Sequence, residues 1–478
     1  MRRRDMFKLA VSGSALTQVL GTSCQRQIFN HLMGENRGSS TPKRSSTHSI
    51  TAIVTVNWGH VVARTTPFTF GSNDYEITRP ERAADPVYQN LLADLGIGLI
   101  RIHHAELSDR WTNPTTQTWD EAKIKAGYDA SYPQQPSIIQ NIPGWPKWMV
   151  ESQDGLLDPS EYDNYAAFCA QLVEILNQRQ QRKVVYWEPL NEQDVRYQKA
   201  GKLDELWTIY NKAAIAMKRQ DPQIKVGGPV LTWDESRRLV SFLKACEPNV
   251  DFISWHRYGS GNASESTDTL MSYTPKYKTQ VQEFRKLANQ YIPDRNVPLL
   301  LGEYNINYHW RSGENRQHTH VGAVWFASVL KNLADAGIDM ATSWHLKDGV
   351  YGLIDPKNNL RPAATVFAWG IQYLTGTVMH ADSNHPFVEA MPVFQSDGTR
   401  SLLLINKSAG LAILDVQATQ KEAKPDSLLM LSLDATGVKT TSLTTATWEQ
   451  QPLTLNPYSL ILLRFAANGS CVNQPQKS

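Results

Sequence analysis

Two short runs hold the residues best suited to chemistry. Val184-Val185-Tyr186-Trp187-Glu188-Pro189-Leu190-Asn191-Glu192-Gln193-Asp194 begins as an apolar strand and sets an amide beside a carboxylate just past its end, where a β/α fold keeps its reactive groups. About 110 residues later, Val297-Pro298-Leu299-Leu300-Leu301-Gly302-Glu303-Tyr304 repeats the build. Two acidic groups at the ends of two different strands are the least that cleavage of a glycosidic bond needs. Glu192 is the candidate general acid and base, and Glu303 the candidate nucleophile. The plainer alternative for Glu192 is a helix cap or a surface acid. For Glu303 that alternative is weaker, because a carboxylate closing an apolar run is costly in a core without partners. Glu188 precedes Pro189 within the strand end and reads as a structural acid.

Other polar and aromatic side chains fall at neighbouring strand ends. Asn191 can donate to the substrate hydroxyl beside the anomeric carbon, an interaction that strengthens as an oxocarbenium-like transition state forms. Arg101, in Gly98-Leu99-Ile100-Arg101-Ile102-His103, and His256 and Tyr258, in Trp255-His256-Arg257-Tyr258, are donors for a carboxylate that must stay ionised. The alternative for His256 and Tyr258 is a satisfied polar cluster at the rim. Trp344 ends the last expected strand and offers a floor for a sugar ring, with Trp145, Tyr304 and Tyr308 as further walls. No metal and no cofactor is expected: His103-His104 and His318-Thr319-His320 lack the i, i+4 spacing around a Glu that a zinc peptidase uses. A G-x-S-x-G elbow is missing as well.

The elements that must position these residues alternate. Strands are expected at Thr51–Trp58, Gly98–His103, Ser137–Asn141, Val184–Pro189, Ile224–Gly228, Val250–His256, Pro298–Glu303 and Met340–His345, each followed by a helix. His60–Ile77 is expected to be a long loop. Eight such units favour a closed barrel over an open doubly wound sheet, and no Gly-rich turn follows the first strand. After Thr377 short alternating runs separated by Asp, Gly, Asn and Pro replace helices. The expectation is an α/β chain: a (β/α)8 TIM barrel over 51–377 and a small antiparallel β sandwich over 378–470, packed on the barrel, with a tail at 471–478.

The 478 residues carry a formal charge of +2 and no basic block beyond the amino terminus, so nucleic acid is not an expected partner; the 14 Trp and 18 Tyr suit a carbohydrate substrate instead. Residues 1–24 read as an export signal with paired arginines of twin-arginine type, its apolar stretch too short to span a membrane. Cys24 stands where a lipid-anchored cysteine would follow cleavage, although Gly21 replaces the usual leucine. Residues 25–50 read as a flexible leader. The expected location is periplasmic or extracellular, free or as a lipoprotein.

These residues resemble a known group. Tyr186-Trp187-Glu188-Pro189-Leu190-Asn191-Glu192 resembles the Asn-Glu acid/base signature of clan A of the retaining glycoside hydrolases, and Gly302-Glu303-Tyr304 resembles its nucleophile strand. Val226-Gly227-Gly228-Pro229 followed by the run Val250–Tyr258 is similar to glycoside hydrolase family 39, the β-xylosidase and α-L-iduronidase family. The resemblance implies Glu192 after the fourth barrel strand, Glu303 at the end of the seventh, Asn191 on a sugar hydroxyl, Arg101 near the nucleophile, and His256 with Tyr258 in support. One departure is Gln193, where those xylosidases usually have proline; clan families that cleave arabinofuranosides, glucuronides or exopolysaccharides stay open. The implied activity is retaining O-glycoside hydrolysis of a plant or microbial oligo- or polysaccharide. The alternatives are a non-catalytic carbohydrate-binding barrel and an inverting glycosidase.

Overall fold

The computed structural model describes residues 49–103, 110–132, 134–419, 427–444 and 452–465. The expected export signal with Cys24, the leader up to residue 48, His104 and the tail lie outside the described residues. Among the described residues, no helix is long and apolar enough to cross a membrane.

Eight parallel strands close into a barrel, in order Gly71–Asp74, Leu99–Ile102, Ser137–Ile142, Tyr186–Pro189, Lys225–Leu231, Phe252–Ser260, Leu299–Asn307 and Met340–Ser343. The helices Pro86–Leu95, Glu121–Ala130, Tyr162–Val173, Leu203–Gln220, Ser236–Cys246, Lys276–Tyr291, His320–Asp335 and Pro362–Tyr373 follow them in turn. The helix periods are visible in the chain: Leu203–Gln220 buries Leu206, Ile209, Tyr210, Ala213 and Met217, three and four apart, as one face of a helix requires. Pro86–Leu95 starts with Asp85 accepting from the Val87 N–H and stops at Gly96, whose φ of 65° suits glycine.

Inside the barrel, period two separates a floor from a reactive layer. Leu99, Ile139, Phe252, Leu300 and Met340, with Phe68 and Tyr186, form an apolar plug. Two residues further along the same strands stand Arg101, Asn141 and Glu188, all buried. The polar end of the barrel is therefore closed to water from below and open only above.

The first barrel strand is not the expected one. Thr51–Trp58 is extended, but Ile50–Thr65 pairs antiparallel with Gly376–Ser383 and parallel with Ala412–Ala418, outside the barrel. Its place is taken by Gly71–Asp74, inside the stretch expected to be a loop. Gly-Ser-Asn-Asp has no β-branched or apolar residue to signal a strand, yet its side chains satisfy buried backbone: Asn73 Nδ2 donates to the carbonyls of Gly302 at 2.7 Å and Ser343 at 3.1 Å.

The second region is a mainly antiparallel sheet region beside the barrel, as expected, but Ile50–Thr65 belongs to it, so its extent differs from the expected bounds at 51 and 378. It is one continuous nine-stranded sheet that includes Ile50–Thr65. Alternation explains its docking: Leu402, Leu404, Ile461 and Leu463 form the sheet's own core, while Leu403, Ile405, Leu460 and Leu462 join the core around the barrel helices. At that seam the buried Glu389 accepts from Lys407 Nζ at 2.7 Å, from Asn332 Nδ2 at 3.2 Å and from the Ser328 hydroxyl. Burial opposes its ionisation, but Lys407 and Lys331 outweigh that and hold the carboxyl below its ordinary range.

Lys407→Met should therefore lower the unfolding free energy by about 3–5 kcal/mol, because it removes the hydrogen-bonded cation of a buried carboxylate; a shifted urea midpoint at constant slope would register it. Adding Glu389→Leu should recover much of the loss. Since the folded pKa is depressed, the contribution of Glu389 is present above the ordinary carboxylate pKa and disappears as pH falls through the folded one. The wild type should accordingly lose stability in acid more steeply than the double variant.

Candidate active site

Backbone irregularities on both sides of the sixth strand create the site. Leu301 pairs with Trp255 and Glu303 with His256, so Gly302 is an extra residue in the seventh strand. Plain alternation from the inward Leu300 would turn Glu303 outward; the bulge turns it into the barrel mouth. Gly302 also leaves room for the neighbouring ring, since a Cβ there would come within 3.2 Å of His256. Val230 is the matching extra residue between the fifth and sixth strands. Its carbonyl accepts the Glu192 N–H at 3.1 Å. Leu190 and Glu192 have φ of 76° and 51°, a left-handed backbone that non-glycine residues seldom hold without surrounding restraint. The restraint is visible: the Leu190 N–H donates to the Ile142 carbonyl at 2.7 Å, and Asp194 accepts from the Thr232 N–H at 3.0 Å and hydroxyl at 2.6 Å.

Glu192 and Glu303 meet in this mouth. An oxygen of each and a ring nitrogen of His256 all lie within 4.8 Å of one another. Glu303 is fully buried and Glu192 is 8% exposed. Glu192 Oε1 lies 2.8 Å from His256 Nδ1. Glu303 Oε2 accepts from the Tyr258 hydroxyl at 2.7 Å, while its Oε1 lies 3.5 Å from Arg101 Nη1 and 3.8 Å from His103 Nε2. Two carboxylates and an imidazole are also a donor set for a divalent cation. Such a cation would have to sit against the Arg101 guanidinium.

Arg101 organises the layer beneath. It is fully buried and donates through Nε to Glu188 at 2.7 Å, through Nη1 to Asn73 at 2.9 Å and through Nη2 to Asn191 Oδ1 at 2.8 Å. The last bond turns the Asn191 amide nitrogen outward as a donor. Glu188, also bonded by Asn141 Nδ2 at 3.2 Å, is the counter-ion of Arg101, the structural acid its place in the strand indicated. Trp344 is a ring away from the nucleophile: its centroid is 5.6 Å from that of His103.

One expected wall is elsewhere. Tyr304 is outward of the bulge, fully buried with its ring 5.8 Å from Phe326, because the residue after an inward Glu303 must face the helices. Trp145 is partly buried in the loop after the third strand; its Nε1 donates to Glu151 at 3.0 Å and Arg196 lies 5.6 Å over its ring, contacts that do not include the carboxylate pair. Tyr308 is at the mouth, 6.4 Å from the ring of Tyr258. The sequence reading missed Asn73, Asn141 and Trp233: Asn73 sits on a strand with no pattern to announce it, and Asn141 closes an expected strand with nothing local to mark it as a partner of Glu188. Tyr258→Phe removes one hydrogen bond to a charged group, so kcat should fall about 10-fold to 100-fold with the fold intact, as steady-state kinetics and a thermal melt would report.

Comparison with known proteins agrees with this build. Residues 148–356 match the family model described as glycosyl hydrolases family 39. A β-xylosidase of Geobacillus stearothermophilus is 28% identical over 164 residues, a stretch that is 32% of this chain and 32% of that protein. The chain thus spans about a third of the length of the curated relatives it matches. Among solved structures, a monomeric β-xylosidase from Caulobacter crescentus CB15 superposes with a TM-score of 0.64 at 14% identity, over 87% of this chain and 100% of the other. A family 51 α-L-arabinofuranosidase from Thermotoga petrophila RKU-1 does so with 0.64 at 15%, over 87% and 100%. At such identities the superpositions speak for the barrel fold alone. In motif, matched segment and fold, the chain is similar to the glycosyl hydrolases of family 39.

Proposed function

We propose that this protein is a retaining O-glycoside hydrolase acting on a plant or microbial oligo- or polysaccharide, with β-xylosidase-like action the first to test. The observation that carries this is the approach of Glu192 and Glu303 oxygens to within 4.8 Å. Retaining enzymes hold their carboxyl groups about 5–5.5 Å apart, whereas inverting ones leave about 6.5–9.5 Å for a water. Glu303 attacks the anomeric carbon as the bond to the glycosidic oxygen breaks, and Glu192 gives that oxygen its proton. The covalent glycosyl-enzyme is then opened by water, whose proton returns to Glu192, with net retention. His256 orients Glu192, and the Tyr258 hydroxyl and Arg101 guanidinium favour the anionic form of Glu303. Asn191 offers its amide to the hydroxyl beside the reacting carbon. Export belongs to this reading too, on the strength of the arginines and apolar stretch at the amino terminus.

Incubation with a panel of aryl β-glycosides and polysaccharides, followed by NMR of the first product anomer, tests the reading. A β product supports it. An α product means inversion, and binding without turnover across the panel means a non-catalytic barrel.

A further inference from the structure

Trp233 is left 42% exposed, and it stands at the reactive mouth. It follows the end of the fifth strand, where the Val230 carbonyl holds the Glu192 N–H and Thr232 holds Asp194. Its ring meets Tyr308 edge-to-face at 5.8 Å, and Tyr308 stands 6.4 Å from Tyr258, whose hydroxyl touches Glu303. A line of rings therefore runs from the nucleophile to solvent. The line is braced: Tyr308 lies so close over Gly261 that a Cβ there would come within 2.3 Å of its ring, and Asp234, next to Trp233, is paired with Arg257.

Barrel order assigns this line to one side of the scissile bond. Trp344, His103 and Tyr75 come from the eighth, second and first strands, while the fifth strand lies opposite the first. Glu192, which protonates the departing oxygen, follows the fourth strand and is hydrogen-bonded to the fifth. The leaving group therefore departs over the fifth-strand side, where an exposed indole can stack on the C–H face of a sugar.

On the glycosidase reading above, we infer that Trp233, backed by Tyr308, is the platform for the first sugar on the leaving-group side, so that the preferred substrate is a saccharide whose leaving group is itself a sugar. The test compares wild type and Trp233→Ala on a β-glycosyl fluoride and on the β-linked oligosaccharide of the same sugar, the sugar chosen from a panel of fluorides. Fluoride has no ring to stack. The expected result is a fall of about 10-fold in kcat/KM for the oligosaccharide against a change within about twofold for the fluoride, with Trp233→Phe retaining most of the oligosaccharide activity. An equal fall on both substrates, no fall on either, or a wild type that cleaves only the fluoride overturns the platform. A wild type that hydrolyses no fluoride in the panel overturns the glycosidase reading itself.

Discussion

Glu303→Gly should reduce kcat on an accepted glycoside by about five orders of magnitude, because a positioned nucleophile is worth an effective molarity of about 10⁵ M or more. The barrel should survive the change. Arg101 keeps Glu188 at 2.7 Å and Asn73 at 2.9 Å, so the guanidinium is not stranded without a counter-charge. The vacated space lies beside the Tyr258 hydroxyl and His103, donors suited to a small anion. Added azide should enter there and attack the anomeric carbon of a β-glycoside with a good leaving group, giving the α-glycosyl azide in one displacement. Mass spectrometry for the azide and NMR for its anomeric configuration are the readouts. Activity near wild type in this variant, or a β-azide from it, would be incompatible with Glu303 as the nucleophile.

How much of this was legible in the chain depends on which physical signal each residue leaves. Leu299–Leu301 and the run ending in Tyr186-Trp187 announce strands by their apolar residues, and the helices between them announce themselves by period, so seven of the eight barrel strands and both carboxylates can be read directly. Gly71–Asp74 leaves no such trace: its strand character comes from Asn73 bonding neighbouring carbonyls, a tertiary cause invisible to local pattern. Ile50–Thr65 shows the opposite failure. Its alternation is sound evidence for a strand and no evidence for which sheet it joins, and its partners are more than 300 residues away in sequence. Tyr304 offers a wall only by its place next to Glu303; the extra residue at Gly302 turns Glu303 inward and so sends Tyr304 to the helices, which no local pattern shows. Trp233 was passed over because it lies beyond a strand end marked mainly by glycines and a proline, and only the Val230 and Thr232 bonds to the Glu192 loop reveal its nearness to the pair.

Glu192→Ala should separate the two steps that Glu303→Gly abolishes together. Glycosides whose leaving oxygen needs a proton should slow by about 10²- to 10⁴-fold, the usual worth of a positioned general acid. Glycosides with activated leaving groups should still glycosylate Glu303 quickly and then stall, since no base remains to activate water, and a burst of released phenol should precede a slow steady state. Azide, needing no base, should relieve that stall and give the β-glycosyl azide, because it opens an intermediate already inverted once. Opposite azide anomers from Glu192→Ala and Glu303→Gly require each carboxylate to do one job on its own side of the same carbon. If the roles were exchanged the anomers would be exchanged with them, and if His256, at 2.8 Å from Glu192, were the true proton donor, Glu192→Ala would slow poor and good leaving groups alike.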